Sequence, residues 1–498
     1  MQQEVSDWVM EEMKTANLGD TRLNHRLGNI LEMLSRKPSE SIPATAQGWK
    51  EIKAAYRFFD NDKLTEIKIL EPHFNATIER MRAEPIVLLP QDTTELNYTS
   101  KPQTKGLGKL CLESQHGLYL HPTIAITPER VCLGIVNTQI LIRKELHNQK
   151  KHDYLIPIIA YFISSSTDIK LFLYLFLSKS LKTPRPEALP IEKKESVRWL
   201  NSYRAAQTLA EQLPETQIVS IADREGDIYE IFVEASQAKN ESNAEFIIRA
   251  SKDRLLKKDE NKKAHKKLKK HIEDTPVLGT IEFDMPATKN RKARRVTQEI
   301  RAASISLHPA KRIGSKLPAV TINAVFAREI NAPHDEEPIE WVLLTSLSIN
   351  TVAQAIQVIS WYLCRWQIEI FFKILKSGCT VEELQLQTID RLKPCLALYM
   401  IIAWRILHMT MLGRNCPDLP CTSIFEDEEW HAVYMVTYRR PPPKIPPDLN
   451  AMIRMIAGLG GFLNRKGDGF PGPQTIWIGL QRTKDFVIGM EALNESRK

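Results

Sequence analysis

Tyr362, Arg365, Glu369 and Lys376 recur at helical spacing within the segment TVAQAIQVISWYLCRWQIEIFFKILKSG. At about 100° per residue they fall within roughly 60° of one another on a helix surface. Ile356, Ile359, Leu363, Ile370 and Ile374 flank them on one side, and Cys364, Ile368, Phe371 and Leu375 on the other. A helix that is apolar over most of its circumference is largely buried. Buried charge must be paired or bound to something, and an anion together with a metal would suit this set. The spacings Arg365–Glu369 and Glu369–Lys373 are also those of ordinary surface ion pairs. The helix taken alone leaves both readings open.

Two further acids stand where strands end. The apolar run in EPIVLLPQDTTELNY leads to Asp92, and that in TQIVSIADREGDIYE leads to Asp223. Each run reads as a buried strand with the acid at its carboxyl end, where ligand sites of α/β sheets favour forming. Two strand-end aspartates and the helical Glu369 make a triad able to hold two divalent cations. Hard cations take oxygen ligands, and a cation pair stabilises the attacking and leaving oxygens of a phosphoryl transfer. An Asp after a strand also serves as a turn former or helix cap. Glu95, Glu225 and Asp227 are neighbours that compete for the role.

These residues need a scaffold. Residues 1–70 read as a small helical domain. Asp20 caps TRLNHRLGNILEMLSRK, a second helix lies around WKEIKAAYRFFDN, and Arg22, Arg26 and Arg36 supply a basic face. Residues 71–380 read as a body of strands with a helical stretch before Asp223. From about 244 to 348 the segments EFIIRAS, GTIEFDMP, RAASISLH, AVTINAVFAREI and EWVLLTSL alternate apolar and polar residues, which predicts an antiparallel β-rich insertion. Residues 385–498 read as mostly helical, with RRPPPKIPPD as an extended connector. The most apolar stretch, CLALYMIIAWRILHMTML, is interrupted by Arg405 and preceded by Pro394; it reads as a core helix too short to span a membrane. The amino terminus is acidic and amphipathic, unlike a signal peptide.

The chain of 498 residues is long enough for roughly two to four domains. Hydrophobic residues make up 43% and charged residues 26%, as in ordinary globular chains, and the net charge is +8. That charge is concentrated in runs at 143–152, 252–271 and 289–295. Such runs are either solvated loops or neutralisers of DNA phosphates, and the acid-containing run at 252–271 fits both equally. The seven cysteines are odd in number and lack CxxC spacing, which argues against structural zinc and against a disulfide framework.

The stretches QDTTELNY, IADREGDIYE, EWVLLTSL and YLCRWQIEIFFKILKSG, together with LGDTRLNHRL, AAYRFF and IAGLGGFLNRKGDG, resemble the bacterial cut-and-paste transposases of the insertion-sequence-four family, similar to those of the Tn-five type. The resemblance runs nearly end to end. It implies an α/β fold: an RNase-H-like catalytic core with an antiparallel β-rich insertion, flanked by helical N- and C-terminal domains. The family's catalytic, metal-holding acids fall on Asp92, Asp223 and Glu369, and the Tyr-Arg-Glu-Lys signature on Tyr362, Arg365, Glu369 and Lys376. A base-stacking tryptophan falls on Trp341 and a neighbouring arginine on Arg249; with Tyr362, Arg365 and Lys376 these are the implied DNA contacts. The first domain, with Arg22 and Arg26, would bind the transposon end, and the last helices would form dimer contacts. Two Mg2+ ions, with Mn2+ able to substitute, would be the cofactors. Partners would be double-stranded DNA, as terminal inverted repeats and target, and a second copy of the chain in the DNA complex. No membrane partner is implied, and the location would be cytoplasmic and nucleoid-associated. The implied chemistry is strand nicking, hairpin formation, hairpin opening and strand transfer.

Two other function classes remain. One is a catalytically idle transposon-end binder, against which the presence of all three acids weighs. The other is a hydrolase using paired carboxylates, such as a glycosidase. Arg365 and Lys376 favour an anionic substrate over a sugar.

Overall fold

The computed structural model describes residues 5–46, 48–143, 188–237, 243–258, 265–285, 293–334 and 336–496. The basic run at 143–152, apart from Arg143, therefore lies outside the described residues, as do parts of the runs at 252–271 and 289–295.

The chain opens with helices α1 (Asp7–Glu12), α2 (Thr21–Arg36), α3 (Ile42–Thr45), α4 (Trp49–Phe59) and α5 (Glu66–Arg82). Asp20 caps α2 as its spacing suggests, its carboxylate accepting from the Arg22 amide at 2.8 Å. Strands β1 (Ile86–Pro90), β2 (Thr94–Asn97), β3 (Gly108–Lys109), β4 (His116–Ile126) and β5 (Cys132–Leu141) follow. Next come α6 (Val197–Gln212), β6 (Gln217–Ala222), α7 (Tyr229–Gln237), β7 (Glu245–Arg249) and α8 (Leu268–Glu273). Strands β8 (Gly279–Met285), β9 (Arg294–Leu307), β10 (Lys311–Arg312), β11 (Ser315–Lys316), β12 (Val320–Ile330) and β13 (Glu340–Thr345) complete the β structure. Helices α9 (Val352–Leu363), α10 (Trp366–Lys373), α11 (Ile389–Asn415), α12 (Asp427–Tyr438), α13 (Leu449–Leu459) and α14 (Pro473–Ser496) close the described chain.

All strands but β10 and β11 belong to one sheet, in the order β2-β4-β1-β6-β7-β13-β12-β9-β8, with β3 and β5 also paired to β4. The run β1-β6-β7 is parallel, and β8, β9, β12 and β13 extend it antiparallel. The β-rich segment expected from about 244 thus opens with a strand parallel to β6 and is continuous with the central sheet. The central strands are buried on both faces, as a covered parallel sheet requires, and successive residues alternate between two cores. Leu88, Val219, Ile221 and Ile247 join one core with α11, while Val87, Leu89, Ile218 and Phe246 join another with Trp199, Tyr203 and Phe232 of the two helices α6 and α7.

Two expectations need correction. The segment 352–378 is not one regular helix. It breaks between α9 and α10, where the amides of Cys364 and Arg365 bond three residues back, to Trp361 and Tyr362. The Cys364 thiol donates to the carbonyls of Ser360 and Pro128, at 3.4 and 3.5 Å. A π turn, Ile374–Gly378, then follows α10. The core helix α11 has 27 residues and is long and apolar enough to cross a membrane by length and composition, so it is not too short. Its apolar surface is instead packed inside the molecule.

The amino-terminal helices are tied to the sheet by a buried polar knot. Glu12 accepts from both terminal nitrogens of Arg80 at 3.0 Å and lies 2.5 Å from His73 Nδ1. His73 Nε2 accepts from the Ile135 amide of β5 at 2.9 Å, so the ring is neutral with its proton on Nδ1. Arg80 also lies over the Trp404 ring of α11, 4.4 Å from its centroid. Burial pushes the Glu12 carboxyl up, but the hydrogen bonds from His73 and Arg80 and the charge of Arg80 outweigh this and hold it below the usual carboxylate range. A carboxylate held lower in the folded than in the unfolded chain stabilises above its unfolded value and loses that contribution as pH falls through the folded one. Glu12→Gln should therefore lower the melting temperature at neutral pH. Its deficit against wild type should shrink as pH falls below 4.5, as read by thermal melts through that range.

Candidate active site

The parallel ladder between β1 and β6 fixes where the two aspartates emerge. Pro90 stands opposite Ile221, and the Gln91 amide continues the ladder to the Ile221 carbonyl at 3.0 Å. Two residues further along in one strand and the other, Asp92 and Asp223 leave at the same level. Neighbouring strands are about 4.8 Å apart. The Asp92 Oδ1 accepts from the Thr93 amide at 2.7 Å, and Asp223 Oδ1 from the Glu225 amide at 2.8 Å, so each aspartate also organises its own turn.

Glu369 arrives from α10 through Arg365. One guanidinium nitrogen donates to Asp92 Oδ2 at 2.9 Å and the other to Glu369 Oε1 at 2.6 Å. Arg365 is itself largely buried, its side chain 13% exposed. The Asp92 carboxyl is pushed up to about 6, first by burial and then by the negative charge of Asp223, with a smaller push from Glu369; Arg365 and the Thr93 amide act in the other direction. The three acids thus share one electrostatic neighbourhood, brought there from two strand ends and a helix.

Their chemistry suits divalent cations: hard carboxylate oxygens whose mutual repulsion a cation would relieve. Their arrangement includes a competing cation, since Arg365 stands between Asp92 and Glu369. Among the described residues no three His, Cys, Asp or Glu side chains are gathered into metal-ligand geometry.

The aromatic and basic candidates fall as follows. Tyr362 is 6% exposed, and burial raises its hydroxyl above the usual range, while the charges of Arg365 and Arg249 pull it back. Arg249, directly across from Leu343 in the sheet, faces that hydroxyl. Trp341 on β13 is half-buried, stacked 11° from parallel on Phe283 with ring centroids 6.4 Å apart, and its centroid is 6.3 Å from that of Tyr362. Trp341 is therefore linked through Tyr362 to both Arg249 and Arg365, and Arg365 reaches the acids. Lys376 departs from this set. It lies within the π turn that follows α10, and its Nζ is 3.9 Å from Glu382. Arg22 and Arg26 are exposed on α2, whereas Arg36 turns inward to Glu32 at 3.3 Å and does not extend their face.

A hydrogen-bonded chain behind the acids escaped sequence reasoning. Arg198 Nε donates to Thr93 Oγ1 at 2.9 Å, and Thr93 Oγ1 donates to His121 Nδ1 at 2.8 Å. His121 Nε2 donates to Gln91 Oε1 at 3.2 Å, and Gln91 Nε2 donates to Ser220 Oγ at 3.1 Å. Arg198 also donates to Glu225 at 3.1 Å. The chain ties both residues flanking Asp92 to β6 and to the turn after Asp223. Burial, reinforced by Arg198, brings His121 down to about 3, so its ring is neutral and its tautomer is set by these partners. Gly226 completes the packing, because a Cβ there would overlap the Ala222 methyl and press on Trp199. The signal available in the sequence was a histidine within the apolar run LYLHPTIAIT.

Family models match three segments of the chain: transposase DNA-binding over residues 5–64, transposase DDE domain over 201–404, and transposase Tn5 dimerisation domain over 401–496. The chain is a DDE transposase similar to Tn5. The DDE match contains Asp223 and Glu369, while Asp92 precedes it. These models name Tn5 and the DDE class; they do not name the insertion-sequence-four family. As a DDE transposase the chain is a DNA-cleaving and strand-transferring enzyme of a class that uses divalent metal ions, and it carries DNA-binding and dimerisation segments. A cryo-EM structure of a piggyBac transposase synaptic complex with hairpin DNA aligns over 83% of this chain and 73% of that one. The identity is 9% and the TM-score 0.29, too slight a likeness to bear on fold or function.

Proposed function

We propose that this transposase excises and inserts a mobile element by cut-and-paste phosphoryl transfer, with Asp92, Asp223 and Glu369 holding two Mg2+ ions. The observation carrying this reading is the shared electrostatic neighbourhood of those three acids, with Asp92 pushed up to about 6 by burial and by Asp223. Bound cations would activate the attacking oxygen and stabilise the leaving one. The fold around them is read as an RNase-H-like core, since the acids leave adjacent parallel strands and a flanking helix.

The chain's own side chains supply the rest. Arg365 presents a planar fork that matches a phosphate as well as it matches carboxylates. When a DNA phosphate reaches it, the guanidinium exchanges Asp92 or Glu369 for that phosphate and frees the carboxylates for metal. Tyr362 and Arg249 line the approach, and Lys376 contributes a point charge further along the strand. Trp341 is the platform for a base turned out of the duplex, a step that costs a few kcal/mol and is eased by stacking. Arg22 and Arg26, exposed on α2, contact the transposon end, and the C-terminal segment pairs two copies across the DNA. This places its action at the bacterial nucleoid, in the cytoplasm.

The test uses full-length protein with DNA carrying the element's own ends. Mg2+-dependent nicking at those ends supports the reading. Binding without any cleavage, with Mg2+ or Mn2+ present, would establish the idle end-binder instead. Trp341→Ala should slow hairpin formation about tenfold or more while sparing the first nick, because only the bent intermediate needs the platform. Gel assays that separate nicked from hairpin product read this directly, and equal loss at both steps would make Trp341 a packing residue.

A further inference from the structure

A cleft of about 480 Å³ begins one residue after Asp223 and adjoins the site described above through Glu225. Its walls come from the segment before α6, the turn Arg224–Gly226, the loop after β7 and the β10–β11 hairpin. Six cations line it: Lys194, Arg224, Lys252, Arg254, Lys311 and Arg312. The acids nearby are already engaged. Asp227 is held by Arg254, Glu230 by Arg312 at 2.6 Å and Glu225 by Arg198 at 3.1 Å. Among the described residues Arg224, Lys252 and Lys311 have no carboxylate partner, and Lys252 and Lys311 are exposed. The adjoining lysine-rich stretch differs: Lys266, Lys267 and Lys269 pair with Asp274, Asp253 and Glu340.

We propose that this cleft seats the sugar–phosphate backbone of a DNA strand running past Asp223, a contact distinct from the Tyr362–Arg365 side of the acids. The proposal rests on the reading of the chain as a DNA-cleaving transposase. The cations come from four separate segments of the cleft wall, a spread that suits the repeating charges of a polyanion. Arg254 is fixed twice, by Asp227 and by lying 5.3 Å from the Phe232 ring centroid. The Ser251 amide and hydroxyl both donate to Asp227, at 2.8 and 3.0 Å. The loop that carries Lys252 is thereby anchored to the turn that follows the catalytic aspartate, and a strand bound there is held in register with it.

The experiment measures DNA affinity of the full chain against KCl concentration, without divalent metal. The variant is Lys252→Glu with Lys311→Glu, and a charge-matched control carries Lys444→Glu with Lys466→Glu in loops of the C-terminal segment. Each lost phosphate contact should remove about 0.9 from the slope of log affinity against log salt. The cleft variant should therefore lose about two units of slope, with melting temperature unchanged and the control near wild type. Two duplexes, one carrying the element's end and one of random sequence, distinguish the strand held: the arm whose slope falls identifies transposon end or target. An unchanged slope on both would overturn the cleft assignment and leave the transposase reading intact. Wild-type protein that bound neither duplex would overturn that reading, and the cleft proposal with it.

Discussion

Glu369→Gln is expected to lower cleavage at the element's ends about a thousandfold or more, roughly 4 kcal/mol of barrier, while leaving metal-free binding of those ends unchanged. Gln keeps the size of the side chain and one oxygen, so the packing of α10 is preserved. What is lost is one of the three negative charges that would hold cations. The change also removes one push on Asp92, whose carboxyl should come down from about 6, and it leaves Arg365 a neutral amide oxygen in place of the carboxylate that accepts from it at 2.6 Å. A single-turnover cleavage assay beside a band-shift measurement reads both halves. Cleavage at the wild-type rate would remove Glu369 from the metal site. Equal loss of binding and cleavage would make it a scaffold residue.

Which parts of this site were legible in the sequence follows from the range of the forces involved. Asp92 and Asp223 could be located because an apolar run ending in an acid is a local pattern, and β1 and β6 end where those runs end. Glu369 and Arg365 could be paired because four residues of helix put them together, and that spacing survives within the distorted turn. Lys376 could not be placed, since the 100° rule assumes an unbroken helix. Here the Cys364 thiol reaches across to Pro128, and Lys376 itself lies within a π turn. The chain from Arg198 through Thr93 and His121 to Gln91 joins residues as much as 105 positions apart. Only the sheet register brings them together, and no periodicity in one segment encodes it. The basic cleft escaped for a related reason: its six cations are one or two residues from each of four segments, and only Lys252 and Arg254 belong to a basic run. In the run at 252–271, three described lysines are neutralised by acids nearby.

Arg365 yields the sharper test, because two readings of it differ in sign. In this structure its fork spans Asp92 and Glu369, where it offsets the repulsion among three acids and competes with any cation for their oxygens. Arg365→Ala removes both effects. Without metal the variant should melt lower than wild type, since the buried carboxylates lose their counter-charge. Added Mn2+ should then restore it by a larger margin than it raises wild type, as stabilisation grows with RT ln(1 + [L]/Kd) and the competing cation is gone. An affinity gain of about tenfold corresponds to roughly 1.4 kcal/mol of extra stabilisation at saturating ion. Cleavage should nonetheless fall by about a hundredfold, because the phosphate loses its bidentate partner. Arg365→Lys should recover the melting temperature more than the cleavage rate, its point charge serving the acids but not the fork. Calorimetric Mn2+ titration of DNA-free protein decides the matter. Tighter metal binding alongside slower cleavage marks a side chain that exchanges carboxylate for phosphate as DNA arrives. Weaker metal binding would make Arg365 a positioning residue that holds the acids in place, and the exchange would not occur.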